Sequence, residues 1–188
     1  VAASGATHFL EPVMQFGWAD VNGGDVPDDE SRFVEFDQGN LLSMSRFPAY
    51  DRREQGATFV YGLNWTRVAP SGWQAFASAG QVFRSLDDPA FTTSSGLSGT
   101  TSDFVLGGQL KLDKGLSLTA HTLLDNNFSL SKAELRGDWT GKRMQISGTY
   151  LWLEPDAREG RDSRVSEVWF DGDYAITPFW TANANVRY

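Results

Sequence analysis

A chain of 188 residues, 40% of them hydrophobic, can bury one ordinary core, yet no run of about 18 apolar residues offers a membrane-crossing helix. The net charge of −8 and pI near 4.7 exclude the basic surface that nucleic acid demands. Lack of cysteine excludes disulfides and thiolate metal sites, leaving His8 and His121 as the imidazoles. Both histidines lie inside alternating stretches, which argues against a zinc site.

Taken in chain order, alternation of apolar and polar residues recurs from end to end. Leu10, Met14, Phe16 and Trp18 oppose Glu11, Gln15 and Gly17. Runs follow over about 57–67 and 73–84. Phe104, Leu106, Gly108, Leu110 and Leu112 oppose Asp103, Gly107, Gln109, Lys111 and Asp113, and Leu116, Leu118, Ala120 and Leu124 oppose Ser117, Thr119, His121 and Asp125. A run at 128–139 changes phase near Lys132, which predicts either a bulge or a later strand start. Met144, Ile146, Gly148, Tyr150 and Trp152 oppose Gln145, Ser147 and Thr149. After a run at 164–175, Trp180, Ala182, Ala184, Val186 and Tyr188 oppose Thr181, Asn183, Asn185 and Arg187.

These make nine predicted strands of about ten residues each. Their connections alternate in length. Long segments at about 20–56 and 85–102 and the charged Glu154–Arg164 alternate with minimal turns at Ala69–Gly72, Asp113–Gly115, Thr140–Lys142 and Thr177–Pro178. The Asn126-Asn127 connection is a short member of the first set.

One apolar and one polar face on every strand suits two settings. In a soluble sandwich the apolar faces meet in a dry core. In a transmembrane barrel they meet lipid while the polar faces line a wet interior. Strand length favours the barrel, because sandwich strands average nearer five or six residues. So does the alternation of short turns with longer loops. Trp18, Trp65, Trp73, Phe83, Trp139, Trp152, Tyr174, Phe179, Trp180 and Tyr188 gather at strand ends, where an interfacial aromatic girdle belongs. An odd number of strands does not close a bacterial barrel, so the expected architecture is all-β: about nine antiparallel strands of a larger transmembrane barrel, with residues 1–188 in one outer-membrane β-barrel domain.

Leu10-Glu-Pro-Val-Met-Gln15, then Phe36-Asp37, Asn40-Leu41 and Arg46-Phe-Pro-Ala-Tyr-Asp-Arg52, resembles the lipopolysaccharide-assembly outer-membrane protein family LptD (organic solvent tolerance protein). Ser94-Ser-Gly-Leu-Ser98 with Ser102-Asp103 adds to the likeness, which spans the chain. The RFxxYDR-like motif is specific, whereas LEPxxQ alone is weak. The resemblance implies a bacterial outer-membrane barrel of 26 strands that assembles lipopolysaccharide into the outer leaflet. It implies a plug lipoprotein, LptE or an analogue, as partner, with outer-membrane lipid around the barrel. It also implies a periplasmic Lpt bridge reached through a jellyroll. The family's jellyroll and cysteines do not occur in this sequence, and its lateral gate is expected elsewhere.

Within the long loop, Arg46, Phe47, Pro48, Tyr50, Asp51 and Arg52 are expected to fold back over or into the lumen, fixed by Arg–Asp pairing and aromatic packing. The alternatives are a mobile surface loop and, less favoured than pairing, a lipopolysaccharide-phosphate contact by Arg46 or Arg52. Gln15, Asn64, Gln74, Gln109, Thr119, His121, Gln145, Asn183 and Asn185 are expected to line that lumen, with Ser78 beside them. Glu154–Arg164 reads as a solvated loop, its alternative being binding of lipopolysaccharide phosphates, directly by its arginines or through divalent cations held by Asp156, Glu159 and Asp162. The acidic run Asp25–Glu30 lacks the ligand spacing of an EF-hand. No GxSxG elbow or Ser/His/Asp set marks an enzyme, and a phospholipase or protease acting through His121 is the weak alternative. Neither cofactor nor metal is expected. The rivals to a lipopolysaccharide conduit are a generic porin-like barrel and a soluble β-sandwich binding module.

Overall fold

Each alternating run folds as a strand, because alternation lets one strand present opposite chemistries to two media. The computed structural model describes residues 2–3, 5–22 and 34–188, so the acidic run Asp25–Glu30 lies outside the described residues. A two-residue strand β1 (Ala2–Ala3) precedes nine long ones. These are β2 (Ala6–Ala19), β3 (Gly56–Val68), β4 (Gln74–Arg84), β5 (Phe104–Lys111), β6 (Leu116–Leu124), β7 (Leu130–Thr140), β8 (Met144–Leu153), β9 (Val165–Thr177) and β10 (Trp180–Arg187). They form one open sheet in sequence order, every neighbouring pair antiparallel. A single turn of 3-10 helix, Ala157–Glu159, is the helical element among the described residues. No helix among them is long and apolar enough to cross a membrane.

Register assigns the two faces. Leu10 pairs with Trp65, Met14 with Tyr61 and Phe16 with Phe59, which pairs in turn with Phe83. The same face carries Leu110 beside Leu118, Leu135 beside Tyr150, Tyr150 beside Val168, and Phe170 beside Val186. Most of these large apolar side chains are exposed; Met14 is 77% and Phe16 74% accessible. No second sheet covers them among the described residues, which removes the sandwich geometry. An apolar surface running across nine strands far exceeds the patches that soluble monomers tolerate, and lipid is its natural solvent.

The connections sort to opposite ends. Residues 20–55, 85–103, 125–129 and 154–164 join strands at one rim, here the upper, and the short turns join them at the lower. Trp18, Phe83, Trp152 and Tyr188 mark the upper rim; Trp65, Trp73, Trp139, Tyr174, Phe179 and Trp180 mark the lower. Arg67 lays its guanidinium 4.7 Å from the Trp73 ring, an amphipathic pair suited to headgroup depth. In the lower turn at 112–115, Gly115 has φ 80°, and a Cβ there would stand 2.3 Å from the Thr140 carbonyl oxygen. Only glycine fits both constraints.

The phase change near Lys132 has its cause in β7. Leu123 pairs with Lys132 and Leu124 with Leu130, so Ser131 is the extra residue of a bulge. The strand also starts at Leu130, two residues later than the run at 128–139 suggests.

Candidate functional site

The face opposite the apolar one gathers the side chains that sequence assigned to a lumen. Gln15 pairs with Val60, Glu11 with Asn64, and Val68 with Gln74. Gln109 pairs with Thr119 and Gly107 with His121. Gln145 pairs with Asp173, which pairs with Asn183, and Asp171 pairs with Asn185. By register all nine residues, and Ser78 opposite Asn64, share this inner face.

Its upper part departs from the uniformly wet surface expected. Val60, Val82, Val105 and Leu123 lie on the inner face and are buried beneath Val34, Phe36, Leu41 and Phe47 of the first long loop and Phe91 and Leu97 of the second. The loops form a dry cap over β3–β6. Gly80 and Gly107 make the sockets for it. A Cβ on Gly80 would stand 2.3 Å from Leu41 Cδ2, and one on Gly107 would stand 2.6 Å from Gln38 Cδ. Two of the expected lumen residues are drawn into the cap. The His121 Nδ1 and Gln38 Oε1 atoms are 2.7 Å apart, and Gln15 Nε2 donates to the Met44 sulfur at 3.1 Å.

The Arg46–Arg52 stretch divides. Arg46 and Phe47 are buried, Pro48 is exposed and Tyr50 is 90% accessible. Arg46 pairs with Glu54, not Asp51: its backbone N–H and its Nη1 both donate to Glu54 Oε1, at 2.8 and 2.9 Å. Its Nη2 donates to the Leu41 carbonyl at 3.1 Å. Arg84 approaches the same carboxylate, with Nη1 4.0 Å from Glu54 Oε2, and donates to the carbonyl oxygens of Leu97 and Gly99. Two guanidinium groups thus flank one buried carboxylate, and each is held further by backbone oxygens. Arg52 reaches the second loop, with Nη2 2.8 Å from Asp88 Oδ1 and its guanidinium 5.0 Å from the Phe47 ring. Phe47 stacks on Phe91 at 4.7 Å. The expected Arg–Asp pairing therefore occurs at Arg52, with an aspartate 36 residues away.

The charged loop at 154–164 is docked on the second loop. Asp156 accepts from Ser94 N–H and Arg158 N–H, each at 2.9 Å, and so caps the helical turn Ala157–Glu159. Thr92 donates to Glu159, and Arg158 reaches the carbonyl oxygens of Phe91 and Pro89. Burial raises the Asp156 carboxyl, but the Ser94, Arg158 and Glu159 donors outweigh it and hold the group below its ordinary value. Glu159 is lowered against the same effect of burial by Thr92, Ser94 and Arg161. Nearby Asp103 and Glu154 go the other way: burial pushes both up, and surrounding carboxylates add to it.

Sequence reasoning passed over Glu54, Arg84, Phe91 and Asp88. Arg84 had a visible signal, a charge at an inward position on the last residue of a strand. Among the described residues no group of three or more His, Asp or Glu side chains is placed to hold a metal ion.

The family LptD, described as LPS transport system D, matches residues 1–180. A comparison with curated proteins gave no match. With an all-β antiparallel sheet, an exposed apolar face and a polar inner one, the chain belongs to the LptD family of lipopolysaccharide-transport components of the outer membrane.

Proposed function

We propose that this chain is wall and partial plug of the conduit that delivers lipopolysaccharide to the outer leaflet, as part of a larger closed barrel. The observation that carries this reading is the division of nine strands into an oily outer face between two aromatic rims and a polar inner face. Acyl chains and saccharides need opposite surroundings, and a barrel wall of this kind offers both within a few ångströms. The role is non-enzymatic: the inner face positions and solvates the cargo, and no cofactor takes part. Transport energy would enter from the periplasmic side, through a bridge and a jellyroll outside residues 1–188. A plug lipoprotein, LptE or an analogue, would occupy the part of the lumen that the cap leaves open. The closed barrel would carry 26 strands, as in the family.

Depletion of the full-length protein tests this. The expected result is loss of newly made lipopolysaccharide from the cell surface and a more permeable outer membrane. Unchanged surface lipopolysaccharide, together with steady ion conductance of the reconstituted protein, would instead identify a porin-like barrel.

A further inference from the structure

Of the seven tryptophans, Trp18, Trp65, Trp139 and Trp152 face outward by register, and Trp73 and Trp180 stand at the lower rim, just before β4 and at the start of β10. Trp169 is the exception. It lies on the inner face in the upper half of β9, the fifth of its thirteen residues, directly between Thr149 of β8 and Arg187 of β10. The Arg187 guanidinium lies over one face of the indole, 5.1 Å from the ring centroid, and 2.6 Å from Glu167, leaving the other face for a ligand. Toward the lower rim the next inner-face row is Asp138, Ser147, Asp171 and Asn185, and the one below is Thr140, Gln145, Asp173 and Asn183. The cap's ion pair with this face of β7, Glu35 to Lys132, lies at the strand's upper end.

We propose that Trp169 is a stacking platform for neutral sugar rings of the transported lipopolysaccharide, with Asp171, Asn185 and Arg187 meeting their hydroxyl groups. The inference rests on the conduit reading above. An indole offers a flat apolar surface to the C–H face of a pyranose, while carboxylate, amide and guanidinium groups satisfy vicinal hydroxyls in pairs. Charge selects sugar over phosphate. The inner face of β7–β10 holds Glu134, Asp138, Glu167, Asp171 and Asp173 against Lys132, Arg136 and Arg187, and five carboxylates against three cations repel a phosphate. A membrane-girdle role does not account for Trp169, because the girdle positions lie on the other face.

The test places a photo-crosslinking residue at Asn185, and separately at Ser147, in the full-length protein in cells. Lipopolysaccharide adducts are expected at both positions. Trp169→Ala should lower their yield about tenfold, the worth of one good aromatic contact, while Trp169→Phe keeps most of it. Asp171→Ala, at an exposed position, should lower the Asn185 adduct about threefold, and it serves as the second variant should Trp169→Ala not assemble. Lipopolysaccharide with a phosphate-free core should crosslink as well as the normal form. Unchanged yields in Trp169→Ala and Asp171→Ala would overturn the proposal, as would adducts to a plug protein alone. Lipopolysaccharide adducts at Gln15 or Asn64 but none at Asn185 or Ser147 would overturn it and leave the conduit reading standing. Adducts at no inner-face position would remove both.

Discussion

Toward the upper rim, the inner face of β3–β6 ends in Val60, Val82, Val105 and Leu123, all sealed under loop side chains. The Val105–Leu123 row continues on β7–β9 through Lys132, Leu153 and Val165, none of them in the buried cluster, and two inner rows lower stand Arg136, Thr149, Trp169 and Arg187. The two halves share one sheet and one alternating pattern, and along that row they differ in cover: Val105 and Leu123 are buried, whereas Lys132, Leu153 and Val165 are half-buried. The aliphatics of β3–β6 are covered because a dry surface is stabilised by covering it, whereas Lys132 in the same row and the charged and hydroxylated residues below it stay hydrated at little cost. A barrel wall can therefore be plugged in one sector and left open in the next by a handful of side chains.

The largest expected effect on this contrast comes from Glu54. Glu54→Ala leaves Arg46 and Arg84 buried around an uncompensated gap, a loss of about 3–5 kcal/mol. Thermal unfolding of the detergent-solubilised protein and proteolysis within residues 34–55 should both register it. A loss below about 1 kcal/mol would mean that water reaches the triad and the cap is not dry.

Next comes the socket. Gly80→Ala forces Leu41 out of contact or displaces its backbone, at a cost of about 1–3 kcal/mol. On the outer face, a Cβ on Gly148 would meet Phe170 at an ordinary 3.8 Å, so Gly148→Ala is expected to be nearly neutral. Equal effects on unfolding would mean that Gly80 is no socket for the cap.

Most of the sheet was legible from sequence because alternation is a local signal. The Ser131 bulge was legible too, since an extra residue shifts the phase of everything after it. The cap was half legible. Two of the four inner aliphatics stand between apolar neighbours, in Phe59-Val60-Tyr61 and Phe104-Val105-Leu106, which marks a strand end apolar on both faces. Pairing was not legible. Asp51 and Glu54 lie at similar distances along the chain from Arg46, and only the three-dimensional path of the loop selects Glu54. The loop at 154–164 read as solvated because its partners are mostly backbone groups of residues 89–94, to which composition is blind.

Acid should tighten one part of the loop cluster before it loosens another. Asp103 and Glu154 have raised carboxyls, so their folded-state penalty is removed as pH falls from neutrality through the raised values toward the ordinary 3.8 and 4.5. Asp156 and Glu159 are lowered, so the stability they confer is present above the ordinary 3.8 and 4.5 and is lost as pH falls through the lower folded values. Resistance of the loops to proteolysis by an acid-tolerant protease is therefore expected to pass through a maximum in mild acid. Asp103→Asn should remove part of the rise on its neutral side. A monotonic decline from neutrality in both proteins would contradict the assignment.

The smallest effect belongs to the open half and serves as its measure. Arg136 and Asp138 make a bidentate pair on the inner face, with Nε to the two carboxylate oxygens at 3.1 and 3.0 Å and Nη2 at 2.9 Å, yet the arginine side chain is 54% accessible. Water screens such a pair, so Arg136→Gln should cost only about 0.2–1 kcal/mol in unfolding, and less as salt is raised. The contrast with Glu54 lies in solvent and not in geometry, which favours the exposed pair: Arg136–Asp138 is bidentate, whereas Glu54 takes Arg46 through one oxygen and keeps the other 4.0 Å from Arg84. A loss near that of Glu54→Ala would show that β7–β10 is covered in the assembled barrel, and that a plug rather than water sits against this face.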